Sequence, residues 1–139
     1  STVHGWRLIN LRPDYGSTWK GNIIIRNCRF VTAQGGRQSP TILNGSNDGQ
    51  HDFGYTCYMP VRLVIDGLEV EDSGKPDNYR GPVALGKFNP KYKADLKLPH
   101  PQVITKEVVY RGVKTTSGQP LRLSENPELY RDVVLREGD

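Results

Sequence analysis

A bent-strand motif occurs four times in the chain and constrains the fold more than any other feature of the sequence. The clearest copy is Asn-Ile-Ile-Ile-Arg-Asn-Cys-Arg-Phe-Val at residues 22–31, and further copies occupy residues 63–70, 108–115 and 129–135. Aligned without gaps, the copies place residue types that tolerate a left-handed backbone in one column. The motif therefore predicts two short strands joined by a sharp bend. The members of this bend column are Asn27, Gly67, Gly112 and Asp132.

Charged and apolar residues recur at fixed positions around the bend. The column directly before it is charged in every copy, which predicts a ladder of surface ion pairs. The apolar columns are predicted to face inward, as strand alternation requires. The charged column contains Arg26, Asp66, Arg111 and Arg131. The apolar columns contain Ile24, Val64, Val109 and Leu129, then Cys28, Leu68, Val113 and Val133, and then Phe30, Val70, Thr115 and Leu135.

A second repeated strand alternates with the bent one. Residues 40–43, 82–85 and 120–123 share a Pro-x-x-Leu frame, and residues 7–11 are an earlier member. The members of the bend column are unevenly spaced along the chain, so the unit is constant while the loops vary in length. Repetition of one small unit with loop insertions is typical of solenoids. We therefore predict an all-β fold, a right-handed parallel β-helix of about four coils, as a single domain over residues 1–139.

The length and the glycine and proline content agree with this prediction. The chain has 139 residues, with 15 Gly and 10 Pro. This is long enough for one core and unfavourable for long helices. A solenoid exposes apolar residues at both ends unless something covers them. The segment before Leu8 is too short to form a cap. We therefore expect a C-terminal part of a longer β-helix protein, or further coils or a capping chain over the open end.

Charge and cysteine content narrow the classes of partner. The net charge is +4. Basic residues alternate with acidic ones and no basic run is interleaved with aromatics, so we expect no nucleic-acid groove. No apolar segment approaches the roughly 20 residues of a membrane span. Cys28 falls in an inward column and Cys57 in a long loop. A buried thiol at Cys28 is therefore favoured over a disulfide between the two.

Two loops carry residue types that suit chemistry, although the chain has no compact catalytic motif. In the loop over 44–60, His51 beside Asp52 could act as a general base, and Tyr55 and Tyr58 could stack on sugar rings. The alternative is a polar surface loop whose aromatic residues pack back on the strands. The sequence is compatible with both interpretations.

A second set of candidates is basic. Arg80 and Lys87, with Lys91, Lys93 and His100, could neutralise a substrate carboxylate and ease removal of the neighbouring proton. The alternative is an ordinary set of solvated cations. Further aromatic residues suit sugar binding, although Trp19 could equally cover an apolar edge of the first coil. These are Tyr15, Trp19 and Tyr92.

With these repeats, the chain resembles the pectate-lyase-like superfamily of right-handed parallel β-helices. The resemblance rests on Ile-x-Arg-Asn-Cys-x-Phe at 24–30, on Ile-x-Gly-Leu-x-Val at 65–70 and on the bend column. The superfamily includes polysaccharide lyases, glycoside hydrolases, carbohydrate epimerases and phage tailspikes. The resemblance thus implies polysaccharide binding or processing, by a protein that is secreted or held in the cell envelope.

The resemblance leaves the activity open, because no catalytic motif of a member family is matched. A lyase would require calcium held by clustered carboxylates, and no other cofactor is expected. The alternative from a different class is a non-catalytic structural or adhesive β-helix, such as a tailspike-like segment. The acidic residues of the loops are scattered in the sequence, which argues against the lyase branch. They are Asp48, Asp52, Asp72 and Asp77.

Overall fold

The computed structural model describes most of the repeated segments. The described residues are 1–11, 21–34, 39–45, 57–86, 102–103, 105–125, 130 and 133–138. Within these ranges the chain forms β-strands and no α-helix. The strands are β1 Thr2–Gly5, β2 Arg7–Leu11, β3 Asn22–Thr32, β4 Thr41–Gly45, β5 Cys57–Tyr58, β6 Arg62–Glu71, β7 Val83–Leu85, β8 Gln102–Val103, β9 Glu107–Thr115 and β10 Val134–Glu137.

The strands form three parallel sheets. Sheet A has five strands in the order β1-β3-β6-β9-β10, sheet B has the order β2-β4-β7, and sheet C pairs β5 with β8. From β3 to β9 the chain visits the sheets in the order A, B, C, A, B, C, A. Strands that are neighbours in a sheet therefore come from successive passes of the chain. The prediction of an all-β fold with parallel pairing between repeats is confirmed.

The bend column has the predicted backbone conformation. Asn27, Gly67 and Gly112 have φ angles of 54°, 84° and 62°, all in the left-handed region. The strands around them pair in the register that the gapless alignment predicts, so the first three copies of the repeat are confirmed. The fourth predicted member, Asp132, lies outside the described residues.

In the first three copies the inward columns after the bend are confirmed, but the column before the bend is wrong. Phe30, Leu68 and Val70 are at most 1% exposed. By contrast, Ile24 is 56% exposed, and the buried residue beside it is Ile25. Residues two apart in a strand share a face, so a residue at position 24 must face outward with the charged residue at position 26. The left-handed bend then reverses the alternation, which a gapless count across it does not take into account.

The same correction applies to the second and third copies. Leu63 and Ile65 are fully buried, whereas Val64 is partly buried on the outer face. Val109 also belongs to the outer face but is only 7% exposed. Gly138 covers it: a β-carbon at Gly138 would lie only 3.2 Å from Val109 Cγ1.

The fourth copy is paired differently from the prediction. Val134 pairs with Glu107, at the start of β9, and not with Lys114, which the gapless alignment puts beside it. The bend column of this copy contains Asp in place of Gly or Asn, so the sequence specifies the position of its bend less strongly. Consequently β10 extends only the half of sheet A that precedes the bend.

Sheet B follows the Pro-x-x-Leu frame in its first copies. Thr41 pairs with Val83 and Leu43 with Leu85, as the frame predicts. In the third copy, however, Val83 forms a bridge with Arg122, one position beyond the one that the frame predicts. This shift brings the Arg122 side chain beside the segment that leads into β7.

One hydrophobic core joins sheets A and B. Its fully buried members include Phe30, Leu63 and Val108 from sheet A, and Ile42 and Leu43 from sheet B. Burial of one such side chain stabilises the fold by about 1.5–3 kcal/mol. The core fixes the sheets relative to each other, so side chains on their outer faces have defined positions.

Candidate functional site

Most of the residues predicted to form a site lie outside the described residues. For Tyr58 the structure gives only the backbone, which pairs with Val103 in sheet C. Arg80 is the predicted site residue whose side chain is described. The convergence of His51, Asp52, Lys87 and Arg80 therefore stays a prediction. The candidates outside the described residues are Tyr15, Trp19, His51, Asp52, Tyr55, Lys87 and Tyr92.

The strands that precede two of the predicted site loops end side by side in sheet B. Strands β4 and β7 are parallel neighbours, so their carboxyl ends, Gly45 and Leu85, lie at the same edge of sheet B. The loop of His51 follows β4, and Lys87 follows β7. Arg80 precedes β7 and so lies at the opposite edge of sheet B.

Arg80 belongs to a charged cluster at that edge. Its Nη2 lies 3.2 Å from Glu125 Oε2, while Nη2 of Arg122 lies 2.9 Å from Glu125 Oε1. The hydroxyl of Ser39 also donates a hydrogen bond to Glu125. Arg122 further donates to the carbonyl oxygens of Arg80 and Gly81, at 3.1 and 2.7 Å. The backbone that carries Arg80 is thus held in place, and its side chain is 70% exposed.

The cluster is held together by charge, and its carboxylate, Glu125, is ionised near neutral pH. The hydrogen bond from Arg122 lowers the pKa of Glu125 to about 2, with smaller contributions from Ser39 and from the charge of Arg80. Glu125 is therefore ionised throughout the neutral range and cannot serve as a general acid there. With two guanidinium groups and one carboxylate, the cluster has a net charge of +1.

A second polar cluster closes the turn after β6. The carboxylate of Asp72 is fully buried and accepts hydrogen bonds from Tyr79 Oη at 2.6 Å and from Ser117 Oγ at 2.7 Å. The Ser117 amide and the Thr116 hydroxyl also donate to it. Burial, together with the hydrogen bond to Asp72, raises the pKa of Tyr79. The cluster links two passes of the chain, so its role is structural.

Within the described residues, the carboxylates do not fit the calcium site that a lyase would require. Both carboxylate oxygens of Asp72 are already bonded to protein donors. Across the described part of the chain, no group of three or more His, Cys, Asp or Glu residues could hold a metal ion.

Cys28 is a partly buried free thiol, as its place in an inward column predicted, and its Sγ lies 3.3 Å from the Arg26 carbonyl oxygen.

The predicted ion-pair ladder is present on the outer surface of sheet A. Arg26 Nε lies 3.5 Å from Asp66 Oδ2, and Arg111 Nε lies 3.0 Å from Asp66 Oδ1. One carboxylate is therefore shared by two guanidinium groups. The hydrogen bond from Arg111 lowers the pKa of Asp66. Arg131, the fourth residue of the predicted column, lies outside the described residues.

A second triad of the same composition was not predicted. Arg136 Nε donates to Glu107 Oε1 at 2.5 Å, and Arg62 Nε lies 3.1 Å from Glu107 Oε2. The contact between Arg62 and Glu107 is thus an ion pair. The hydrogen bond from Arg136 lowers the pKa of Glu107. The signal was missed because the predicted register of the fourth copy separated Arg136 from Glu107.

The two triads define a surface that we call the arginine face. It is the outer surface of β3, β6, β9 and β10 before the bend, with Ile24 and Val64 between the triads. The arginine side chains of this face are 38–62% exposed. Each triad contains one more positive than negative charge.

A shallow groove of about 390 Å³ runs along the bend column beside this face. Gly67 and Gly112 have no side chains to fill it. Its wall contains Arg29, Glu69 and Lys114, which are neighbours in sheet A and again alternate in charge.

No protein-family model matches the sequence, and no curated protein or solved structure was found to be similar. The resemblance to the pectate-lyase-like superfamily therefore stays an expectation. The described part of the chain contains no helix that is long and apolar enough to cross a membrane.

Proposed function

We propose that this chain is a right-handed parallel β-helix domain that binds polysaccharide. The observation that carries the proposal is the recurrent order of sheets A, B and C along the chain, with parallel pairing of equivalent strands. Stacking of successive passes in this way supports a solenoid. Solenoids present long outer faces, which suit linear ligands. Such a domain would act in the secreted or cell-envelope compartment, where polysaccharides are abundant.

Fixed cations on the outer faces support an acidic sugar as ligand. Arg80 is anchored by Glu125, but its side chain remains largely exposed. Its guanidinium can therefore pair with a carboxylate from solvent. The loops over 44–60 and 89–101 follow neighbouring strands of sheet B and would form the rim of a binding surface there. Their aromatic residues would supply the stacking that sugar rings require.

Binding without turnover is the version of the function that the described residues favour. Glu125, with a pKa of about 2, and Tyr79, with a raised pKa, do not exchange protons near neutral pH. Catalysis of the lyase or hydrolase type would rest on the predicted catalytic residues His51, Asp52, Lys87 and Arg80. A structural or adhesive β-helix is the second candidate, because Asp72 and Glu125 are satisfied by partners within the chain.

A polysaccharide panel tests this function. The wild-type chain is assayed for binding to acidic and neutral polysaccharides, while absorbance of unsaturated uronates and new reducing ends are followed with and without calcium. Unsaturated products indicate a lyase, reducing ends alone a hydrolase, and binding without product a binding domain. The variant Arg80→Gln should weaken binding of acidic polysaccharide, whereas Arg7→Gln, also exposed on sheet B, should not. Absence of binding to the whole panel would contradict the proposal.

A further inference from the structure

We infer that the arginine face is a second binding surface, one for a linear polysaccharide that bears carboxylate or sulfate groups. The inference rests on the proposed function, because it names the class of polysaccharide. It assigns binding to a different place, since the arginine face belongs to sheet A and Arg80 precedes a strand of sheet B.

The arginine face has an excess of positive charge. The described side chains of the face include four arginines and two acids, so the face has a net charge of +2. The outer surface of sheet A after the bend differs. There Arg29 and Lys114 are accompanied by Glu69 and Glu71, which cancel their charge. Positive charge is thus concentrated before the bend.

The arginines of this face are spread across several strands of sheet A. Within one triad, Arg26 and Arg111 are two strands apart, or about 10 Å at the strand spacing of a sheet. Members of the two triads on β6 and β9 are four residues apart, or about 13 Å, while Arg136 on β10 lies beside Val109, about halfway between the two levels. Guanidinium groups thus recur along the sheet at intervals that span a few sugar units. A polymer with regularly spaced anionic groups could meet several of them at once.

The arginines of this face are held in place before any ligand binds. Asp66 and Glu107 each hold two arginines, and these side chains still reach solvent. Exposed ion pairs contribute little to stability. Their effect here is to orient the arginines on a rigid sheet, so that an anionic ligand restricts fewer side chains when it binds.

The same surface disfavours other occupants. A second copy of the chain would bring one net-positive face against another. Single-stranded nucleic acid binds through aromatic stacking, and the side chains between the triads are the aliphatic Ile24 and Val64. An aliphatic strip between cations is compatible with the C–H faces of sugar rings.

Paired charge-removing variants test the inference. Arg26→Gln with Arg136→Gln removes one arginine from each triad and makes the net charge of the face zero. The matched control, Arg29→Gln with Lys114→Gln, removes two cations from the neighbouring surface of sheet A. Both variants and the wild type are titrated with polygalacturonate, dextran sulfate and uncharged dextran, and their folding is checked by circular dichroism and thermal unfolding.

We expect the first variant to bind both anionic polymers about tenfold more weakly than the wild type, which is a loss of about 1.4 kcal/mol. Its affinity should also depend less steeply on salt, because fewer counterions are exchanged. The control should change affinity less than about threefold. Equal losses in the two variants, or no loss in the first, would overturn the inference.

The two proposals fail in different ways. Binding of uncharged dextran alone would leave the proposed function standing and overturn the arginine face as a site. If the wild type binds no polysaccharide, both proposals are wrong.

Discussion

At the scale of single residues, the bend column is the most restrictive part of the chain. Gly67 has a φ of 84°, and a β-carbon at this position would lie 2.9 Å from Asn27 Oδ1 on the preceding pass. Two separate costs therefore oppose any other residue here. One is the left-handed backbone, and the other is the close stacking of one pass upon the next.

A glycine elsewhere in the chain separates these two costs. Gly118 has a φ of 78°, but a β-carbon there would meet no atom within 4 Å. We expect Gly118→Ala to lower the free energy of unfolding by about 1 kcal/mol, from backbone strain alone. Gly67→Ala should lower it by more, about 1.5–2 kcal/mol, because the end of the Asn27 side chain must also shift. Chemical denaturation measures both values, and equal losses would show that the stacking contact has no cost.

Residue types that determine a backbone angle were predictable, as were partners that the repeat aligns, but long-range partners outside the repeat were not. Asn27, Gly67 and Gly112 indicated the bend because few residues adopt its conformation. The acceptor role of Asp72 was not predictable, since its partner Ser117 is 45 residues away. A side chain that depends on such a partner has no local pattern. The same holds for the contact between Arg80 and Glu125, also 45 residues apart.

At the scale of strands, the direction of each side chain depends on the bend. In β3, Ile25 is 5% exposed while Ile24 is 56% exposed, although both are isoleucines in one apolar run. Composition cannot distinguish them. Counting two residues back from the exposed Arg26 does, because alternation holds within each half of the strand.

Alanine substitution of the two isoleucines tests this facing. Ile25→Ala should destabilise the chain by about 2–4 kcal/mol, since it leaves a cavity in the core. Ile24→Ala should cost less than about 1 kcal/mol, because its side chain is largely in water. Both variants are compared with the wild type by denaturant unfolding. If Ile24→Ala were the more destabilising of the two, Ile24 would lie in the core, as the gapless alignment predicts.

At the scale of the whole molecule, the prediction succeeded where the repeat is strong and failed where it is weak. The three clear copies have a Gly or Asn at the bend and pair in the predicted register. The fourth copy has neither, and its strand β10 is displaced from the gapless alignment toward the start of β9. Most of the predicted site lies in loops outside the described residues. Loop chemistry has no periodicity that the sequence could reveal.

Cross-linking tests the register of the last pass. In a Cys28→Ser, Cys57→Ser background, Val134→Cys with Glu107→Cys places two thiols on directly paired residues. Paired positions lie within the distance that a disulfide spans. The control, Val134→Cys with Lys114→Cys, represents the register of the gapless alignment. We expect oxidation to link the first pair only, as judged by mobility on a non-reducing gel and by mass spectrometry. Preferential linkage of the second pair would reverse the assignment.

The unequal spacing of the passes has a consequence for how such a chain can change over generations. In sheet A, Arg62 lies beside Asn22, Glu107 beside Arg62 and Val134 beside Glu107, although the intervening segments differ in length. The length of a segment between two strands thus does not affect how the strands of sheet A pair. Segments between strands can be lengthened, shortened or exchanged between related chains without altering the register of the sheet. The arginine face, built wholly on the framework, would be inherited unchanged while the loops diversify.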